Sequence, residues 1–231
     1  MSVVDDRGKS SEGAREGAAS PPAPLDRRSL NVPNLLTLSR FLLAIVLFVL
    51  IDWDGWWRLS AVVFIVAAST DFLDGYYARK YGQVTVLGRI LDPFVDKIII
   101  CGSFIFLLEH PQSGVTAWMT VIIIGREMFV TSLRAILEQH GRDFSAKWSG
   151  KVKMGLQCTA VPVSLLSLSP EFRELMGGGE MAALFDVFRD IVLWVTVAVT
   201  IYSGAEYTVR GFRMLSEATH ERPRNESGRS S

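Results

Sequence analysis

Apolar residues along this chain come in six long runs separated by short polar turns, and each run is near the roughly 20 residues a helix needs to cross the hydrocarbon core of a bilayer. The runs predict helices at about 34–53, 57–81, 85–108, 114–137, 148–169 and 183–209. The flanking segments lack this pattern. Residues 1–25 are rich in Ser, Gly, Ala, Pro and charge, as is the chain after about Ser216, so neither buries enough apolar surface to fold alone. The reading divides the chain into a disordered N-terminal tail (1–25), an interfacial segment (26–33), one helical domain (34–215) and a disordered C-terminal tail (216–231). The expected fold is all-α, an integral membrane bundle of six transmembrane helices.

Composition agrees, with 49% apolar residues and a positive mean hydropathy. The formal net charge of zero says little, but the placement of basic residues says more. Arg27, Arg28, Arg79, Lys80, Arg89, Arg142, Lys147, Lys151, Lys153, Arg210 and Arg213 fall in the tails or the even-numbered turns, whereas the opposite turns hold Arg58 and Arg173, with Arg189 just inside the last helix. An even helix count and this asymmetry predict a multi-pass protein of the cell (inner or plasma) membrane with both termini cytoplasmic. The first apolar run begins after Leu35 without a small-residue cleavage site, so the first helix is expected to be its own targeting signal. Arg27 and Arg28 either lie near anionic headgroups or belong to a plain linker. Cys101 and Cys158 read as small core residues, and His110, His140 and His220 as isolated side chains. No glycine-rich phosphate loop or internal repeat is present, and no nucleic-acid partner is expected.

Four carboxylates, Asp71, Asp74, Asp92 and Asp96, stand inside these apolar runs. Each ionised group near a bilayer centre costs roughly 2.5–3.5 kcal/mol on insertion scales, so something must bind them. Residues three and four apart share a helix face. Asp71, Asp74, Gly75 and Ala78 form one face of the second helix, and Gly88, Asp92 and Asp96 one stripe of the third. If these helices pack antiparallel through a turn at Lys80 to Thr85, the carboxylates converge into an oxygen-rich cluster that suits two divalent cations, Mg²⁺ or Mn²⁺. Gly75, Ala78 and Gly88 leave room beside it for a flat base and its phosphates, and Arg79 sits at the mouth as a bidentate phosphate binder. The alternative is a structural ion-pair net with Arg79, Arg89 and Lys97. Asp71 and Arg126 lie at matching depths of roughly 15 Å in their helices at 1.5 Å per residue. Arg126, Lys151 and Lys153 could hold an acceptor's phosphate, and Thr37 and Arg40 could line the same cavity. The bland readings are an ion pair with Asp71 or Glu127 for Arg126, membrane anchoring for the lysines, and capping or snorkelling for Thr37 and Arg40.

The pattern Asp71-x2-Asp74-Gly75-x2-Ala78-Arg79-x8-Gly88-x3-Asp92-x3-Asp96 resembles the signature of the CDP-alcohol phosphotransferases at all eight fixed positions. The resemblance implies a six-helix membrane enzyme, usually a homodimer, with a cytoplasmic-side active-site cavity. Such an enzyme uses two divalent metals to transfer a substituted phosphoryl group from a CDP-linked donor onto an alcohol, releasing CMP. It implies that Asp71, Asp74 and Asp92 bind metal, that Asp71 also approaches the nucleotide, and that Asp96 binds metal and acts as general base.

Three further stretches resemble the bacterial phosphatidylglycerophosphate synthase branch of that family: Asn31 to Arg40, Gly125-Arg126-Glu127-Met128 through Leu133-Arg134, and Trp148 to Lys153. That branch often carries a threonine pair where this chain has Met154-Gly155. This likeness implies CDP-diacylglycerol as donor, sn-glycerol 3-phosphate as acceptor and membrane lipids as surroundings. A sibling acceptor (inositol phosphate, serine or phosphatidylglycerol) is the alternative. A divalent-cation transporter is a second one, which the lack of acidic residues in the outer halves of helices two and three argues against.

Overall fold

The computed structural model describes residues 32–81, 86–139 and 148–221; the side chains of 32–34, 36, 71–93, 215 and 217–221 lie outside the described set. All the described secondary structure is helical: α1 (Val32–Asp52), α2 (Trp57–Tyr81), α3 (Val86–Leu108), α4 (Ala117–Gln139), α5 (Trp148–Leu168), α6 (Pro170–Leu175) and α7 (Gly179–Glu221), with one 3₁₀ turn at Pro111–Ser113. The six predicted helices correspond to α1–α5 and α7.

Three features differ from the sequence expectation. The short α6 falls between the predicted fifth and sixth helices, where hydropathy predicts no element, although its start is written in the chain. Ser169 is the N-cap, accepting a hydrogen bond from the Phe172 amide at 3.2 Å, and Pro170 opens the helix, where a missing N–H does no harm. The Ser169 hydroxyl also donates to Glu171 Oε2 at 2.7 Å, which lowers the Glu171 pKa. The last helix starts earlier and runs past Ser216 to Glu221, so part of the expected disordered tail is helical. The first helix begins at Val32, inside the segment read as interfacial.

In the packing, α1 lies against both α2 and α3, α5 against α2 and α7, and α4 against α7. The main core joins Leu47, Ile51, Phe64, Phe104, Ile123, Val161 and Leu165, and a smaller cluster of Val130, Leu133, Leu137 and Tyr207 ties α4 to α7. Gly114 turns the chain into α4 with φ 77°, a conformation open to glycine at little steric cost.

Polarity is distributed inside out. Ser60, Ser103, Thr120, Gln157, Ser164, Thr196, Thr200 and Ser203 are buried, while Leu42, Ile45, Val46, Val49, Val62, Ile65, Val121, Ile191, Trp194 and Ile201 face outward and exposed. Several inward hydroxyls satisfy themselves on the carbonyl one turn back, as Ser103 does on Ile99 at 2.7 Å and Thr196 on Val192 at 2.7 Å. Among the described residues no helix is long and apolar enough to cross a membrane. Charges sit within the runs, as with Arg126, Glu127, Arg134 and Glu138 in α4 and Lys151 and Lys153 in α5.

Candidate active site

Asp96 lies nearly three turns into α3, and its partner comes from the first helix. Arg40 Nη1 donates to Asp96 Oδ1 at 2.5 Å. Arg40 is 1% exposed and Asp96 about a quarter exposed, so the guanidinium forms the wall and the carboxylate looks outward. Thr37, one turn before Arg40 on α1, is buried as well. Asp71, Asp74, Gly75, Ala78 and Arg79 fall in α2, and Gly88 and Asp92 in α3, but their side chains lie outside the described residues. The convergence of the four carboxylates therefore rests on sequence spacing. Among the described residues no group of three metal-ligating side chains occurs.

Beside Asp96 the next residue, Lys97, opens into a cavity of about 500 Å³ between α4, α5 and α7, lined also by Arg126, Glu127, Thr131, Arg134, Glu138, Gly150, Lys151, Met154 and Tyr207. Four cations face two carboxylates there. The α4 members Glu127, Val130, Thr131, Arg134, Ala135 and Glu138 recur at helical spacing along one face. Gly150 lets α5 approach α7 closely, since a Cβ there would meet the Tyr207 hydroxyl at 3.0 Å.

The floor of the cavity is an ion cluster. Arg126 Nη1 donates to Glu127 Oε1 at 3.3 Å and Nη2 to Ser203 Oγ at 2.8 Å. Its guanidinium carbon stands 5.4 Å from the centre of the Tyr207 ring, within cation–π range. Lys153 is buried and its ammonium donates to the same Glu127 oxygen. Glu127 is thus shared by two cations, and the ion pair weighed for Arg126 forms with Glu127.

The structure groups the sequence-predicted residues in two sets. Thr37, Arg40 and Asp96 belong to the α1–α3 wall. Arg126 and Lys151 line the cavity, while Lys153 points behind it to Glu127. Sequence reading gave no site role to Lys97, Glu127, Arg134, Ser203 or Tyr207. Arg134 had a signal, being seven residues after Glu127 and so on nearly the same face of α4; Ser203 and Tyr207 lie 77 and 81 positions from Arg126 in an apolar run and had none.

The sequence profile of the CDP-alcohol phosphatidyltransferases matches residues 30–202, and the chain belongs to that family, a family of transferases. Within it, the chain is 35% identical over 199 residues to the CDP-diacylglycerol–glycerol-3-phosphate 3-phosphatidyltransferase of Bacillus subtilis (strain 168), covering 80% of this chain and 97% of that protein. It is 32% identical over 179 residues to the enzyme of the same name from Rickettsia felis, covering 77% and 93%. The like-named protein of Shigella flexneri serotype 5b is 33% identical over 170 residues, covering 71% and 90%.

Proposed function

We propose that this enzyme transfers the phosphatidyl group of CDP-diacylglycerol to sn-glycerol 3-phosphate, yielding phosphatidylglycerophosphate and CMP, a step of phospholipid biosynthesis. The observation that carries this reading is the surplus of positive charge in a cavity that opens at Lys97, one residue from Asp96; it suits an acceptor that is itself a phosphate dianion. The names of the relatives agree with it.

In the proposed reaction Asp96, oriented by Arg40, takes the proton of the acceptor hydroxyl. The resulting oxygen attacks the lipid-side phosphorus, and the bond to CMP breaks. Gly75, Ala78, Gly88 and Arg79 are assigned to the donor's nucleotide and pyrophosphate. Arg126, Lys151 and Lys153 are assigned to the acceptor side, with Thr37 and Arg40 lining it. Asp71, Asp74, Asp92 and Asp96 form an all-carboxylate donor set of the hard oxygen type that Mg²⁺ and Mn²⁺ take. Two such cations, when bound, would neutralise charge on the pyrophosphate.

A membrane setting is part of the proposal. Charges break up the apolar runs of single helices, but in the bundle Arg40 pairs with Asp96 and Lys153 with Glu127. The outward side chains are left apolar, as along Leu42, Ile45, Val46 and Val49 of α1. Small polar residues inside and large apolar ones outside are what a bundle packed in lipid requires. The active site and both termini are assigned to the cytoplasmic side, and the protein to a homodimer.

The test is incubation of purified protein with CDP-diacylglycerol, Mg²⁺ or Mn²⁺ and a panel of acceptors, with lipid products identified by mass. Phosphatidylglycerophosphate and stoichiometric CMP are expected with glycerol 3-phosphate, and a chelator should abolish both. Product formed instead with inositol phosphate, serine or phosphatidylglycerol would overturn the acceptor assignment.

A further inference from the structure

The exposed side of the α5–α7 pair carries a groove that the proposed reaction does not use. Trp148, Ser149 and Val152 of α5 and Val199, Tyr202 and Glu206 of α7 line a cavity of about 580 Å³. It continues along α7 past Ala205 and Val209 to Arg210 and Arg213, with Tyr202 and Glu206 common to both parts. Val199, Tyr202, Glu206, Val209 and Arg213 follow one another at spacings of three and four, so they form one stripe of α7. None of these residues lines the cavity beside Asp96. Adjacent residues of a helix point about 100° apart, which sends Tyr207 into that cavity and Glu206 into the groove.

The groove changes character along its length. Its deeper part is apolar and aromatic, and the carboxylate there, Glu206, accepts a 2.6 Å hydrogen bond from the Ser149 hydroxyl. About 10 Å further along α7, at 1.5 Å per residue, Arg213 is exposed and has no ion pair among the described residues. Arg210 stands one turn before it, and Trp148 opens α5 at the same end, 78% exposed. Apolar walls, a bordering indole and two guanidiniums beyond them follow the order of hydrocarbon, interface and headgroup phosphate in a bilayer leaflet. Two guanidiniums at the headgroup end attract a phosphate and repel the ammonium that a zwitterionic lipid would bring beside it.

We propose that this groove seats one anionic phospholipid, with its acyl chains along Val152, Val199 and Tyr202 and its phosphate on Arg213 and Arg210. The proposal rests on the membrane setting inferred above. The bound lipid is not the donor, since Asp96 pairs with Arg40 on the α1–α3 wall and the groove shares no residue with that wall. It acts as a clasp across the helix pair: Ser149 and Glu206 border it, and their chain neighbours Gly150 and Tyr207 pack together on the cavity side.

The test uses the full chain in detergent with equal mole fractions of phosphatidylglycerol and phosphatidylcholine, and the lipid retained is counted by native mass spectrometry. One phosphatidylglycerol per chain should be held in preference to phosphatidylcholine. Arg213→Gln should weaken that retention roughly five-fold, the effect of one arginine near an anionic lipid surface, and Arg213→Lys should keep most of it. Val152→Trp, which fills the groove and changes no charge, should weaken it as well; if that variant does not fold, Val152→Phe is the smaller filler. In Arg213→Gln the KM values for CDP-diacylglycerol and glycerol 3-phosphate should stay those of wild type. Retention that neither kind of variant changes would place the lipid elsewhere and overturn the proposal. So would a loss in Arg213→Gln alone, which a diffuse basic surface explains, or a raised donor KM, which would give the groove to the donor. Flotation with phosphatidylcholine vesicles separates the site from the reading it rests on. A chain that floats but retains both lipids alike loses only the groove, whereas a chain that fails to float loses the membrane setting and the groove's lipid with it.

Discussion

Two clusters of charge sit at opposite ends of the α5–α7 pair, and they differ in how completely they are satisfied. At the end of α5, Arg173 makes a fork with both oxygens of Asp186 at 3.0 and 2.9 Å. Arg189, nearly buried, donates to Asp186 at 3.0 Å, Asp190 at 2.9 Å, the Gln112 carbonyl at 2.7 Å and Ser167 at 3.2 Å. Both cations there have carboxylate partners, and the cluster clasps α6, α7, the end of α5 and the 3₁₀ turn together. At the other end, roughly 20 Å away at 1.5 Å per residue along α5, Glu127 closes off Arg126 and Lys153, but Arg134 and Lys151 face an open cavity. The same residue types serve two ends. A closed network holds a fold, whereas an unfinished one beside a cavity awaits a ligand.

The sharpest way to separate the two ends is to remove chemistry from one without touching packing. Asp96→Asn keeps the shape and an acceptor for Arg40 but not the basicity. Turnover should fall about 10²-fold or more, the range of a lost general base, while thermal unfolding in detergent stays close to wild type. Near-normal turnover in the folded variant would remove Asp96 from its role.

The converse substitution is Arg189→Met, which takes the centre out of the closed cluster and leaves Asp186 and the Gln112 carbonyl short of a donor. We expect a stability loss of roughly 2–3 kcal/mol, the scale of hydrogen bonds to charged groups, read from unfolding midpoints. The KM for glycerol 3-phosphate should not move. A shifted acceptor KM at normal stability would mean the two ends are coupled and the contrast between them is false. Gly114→Ala disturbs the same clasp less. It places a Cβ 2.6 Å from Arg189 Nε at a φ of 77°, and strain of this type costs about 1–3 kcal/mol; the midpoint should drop with kcat intact.

The number, order and centres of the six long helices were legible because apolar runs of that length leave little choice. Their ends were less so. α7 overran its apolar pattern into a polar segment as far as Glu221, an extension that hydropathy does not carry. In the site, Asp96 and Arg40 were both named from sequence, but not as partners, because a contact across 56 residues depends on which faces of α1 and α3 meet. Arg126, Lys151 and Lys153 were taken as equals, since sequence shows their charge and depth but not their counter-charges. Glu127, one residue from Arg126, engages Arg126 and Lys153 and leaves Lys151 free, a distinction set by helix rotation alone.

The smallest expected effect tests whether Arg126 matters by position. Gly204 on α7 faces its stem, and a Cβ there would stand 3.2 Å from Arg126 Cγ, tight enough that one of the two must yield by a few tenths of an ångström. Arg126 has little freedom to do so, being tethered by Ser203, Glu127 and the Tyr207 ring. Alanine in a helix interior is favoured over glycine by up to about 1 kcal/mol, which offsets the contact, so the unfolding midpoint of Gly204→Ala should change little. Catalysis should be less forgiving: a 1 Å misplacement can lower rates by about 10²-fold, and a shift of a few tenths should lower kcat roughly two- to five-fold. The acceptor KM should hold, because Arg134 and Lys151 are not displaced. A raised acceptor KM with kcat unchanged would place Arg126 in direct contact with the phosphate, and the division between a satisfied floor and an open cavity above it would then have to be redrawn about two helical turns deeper.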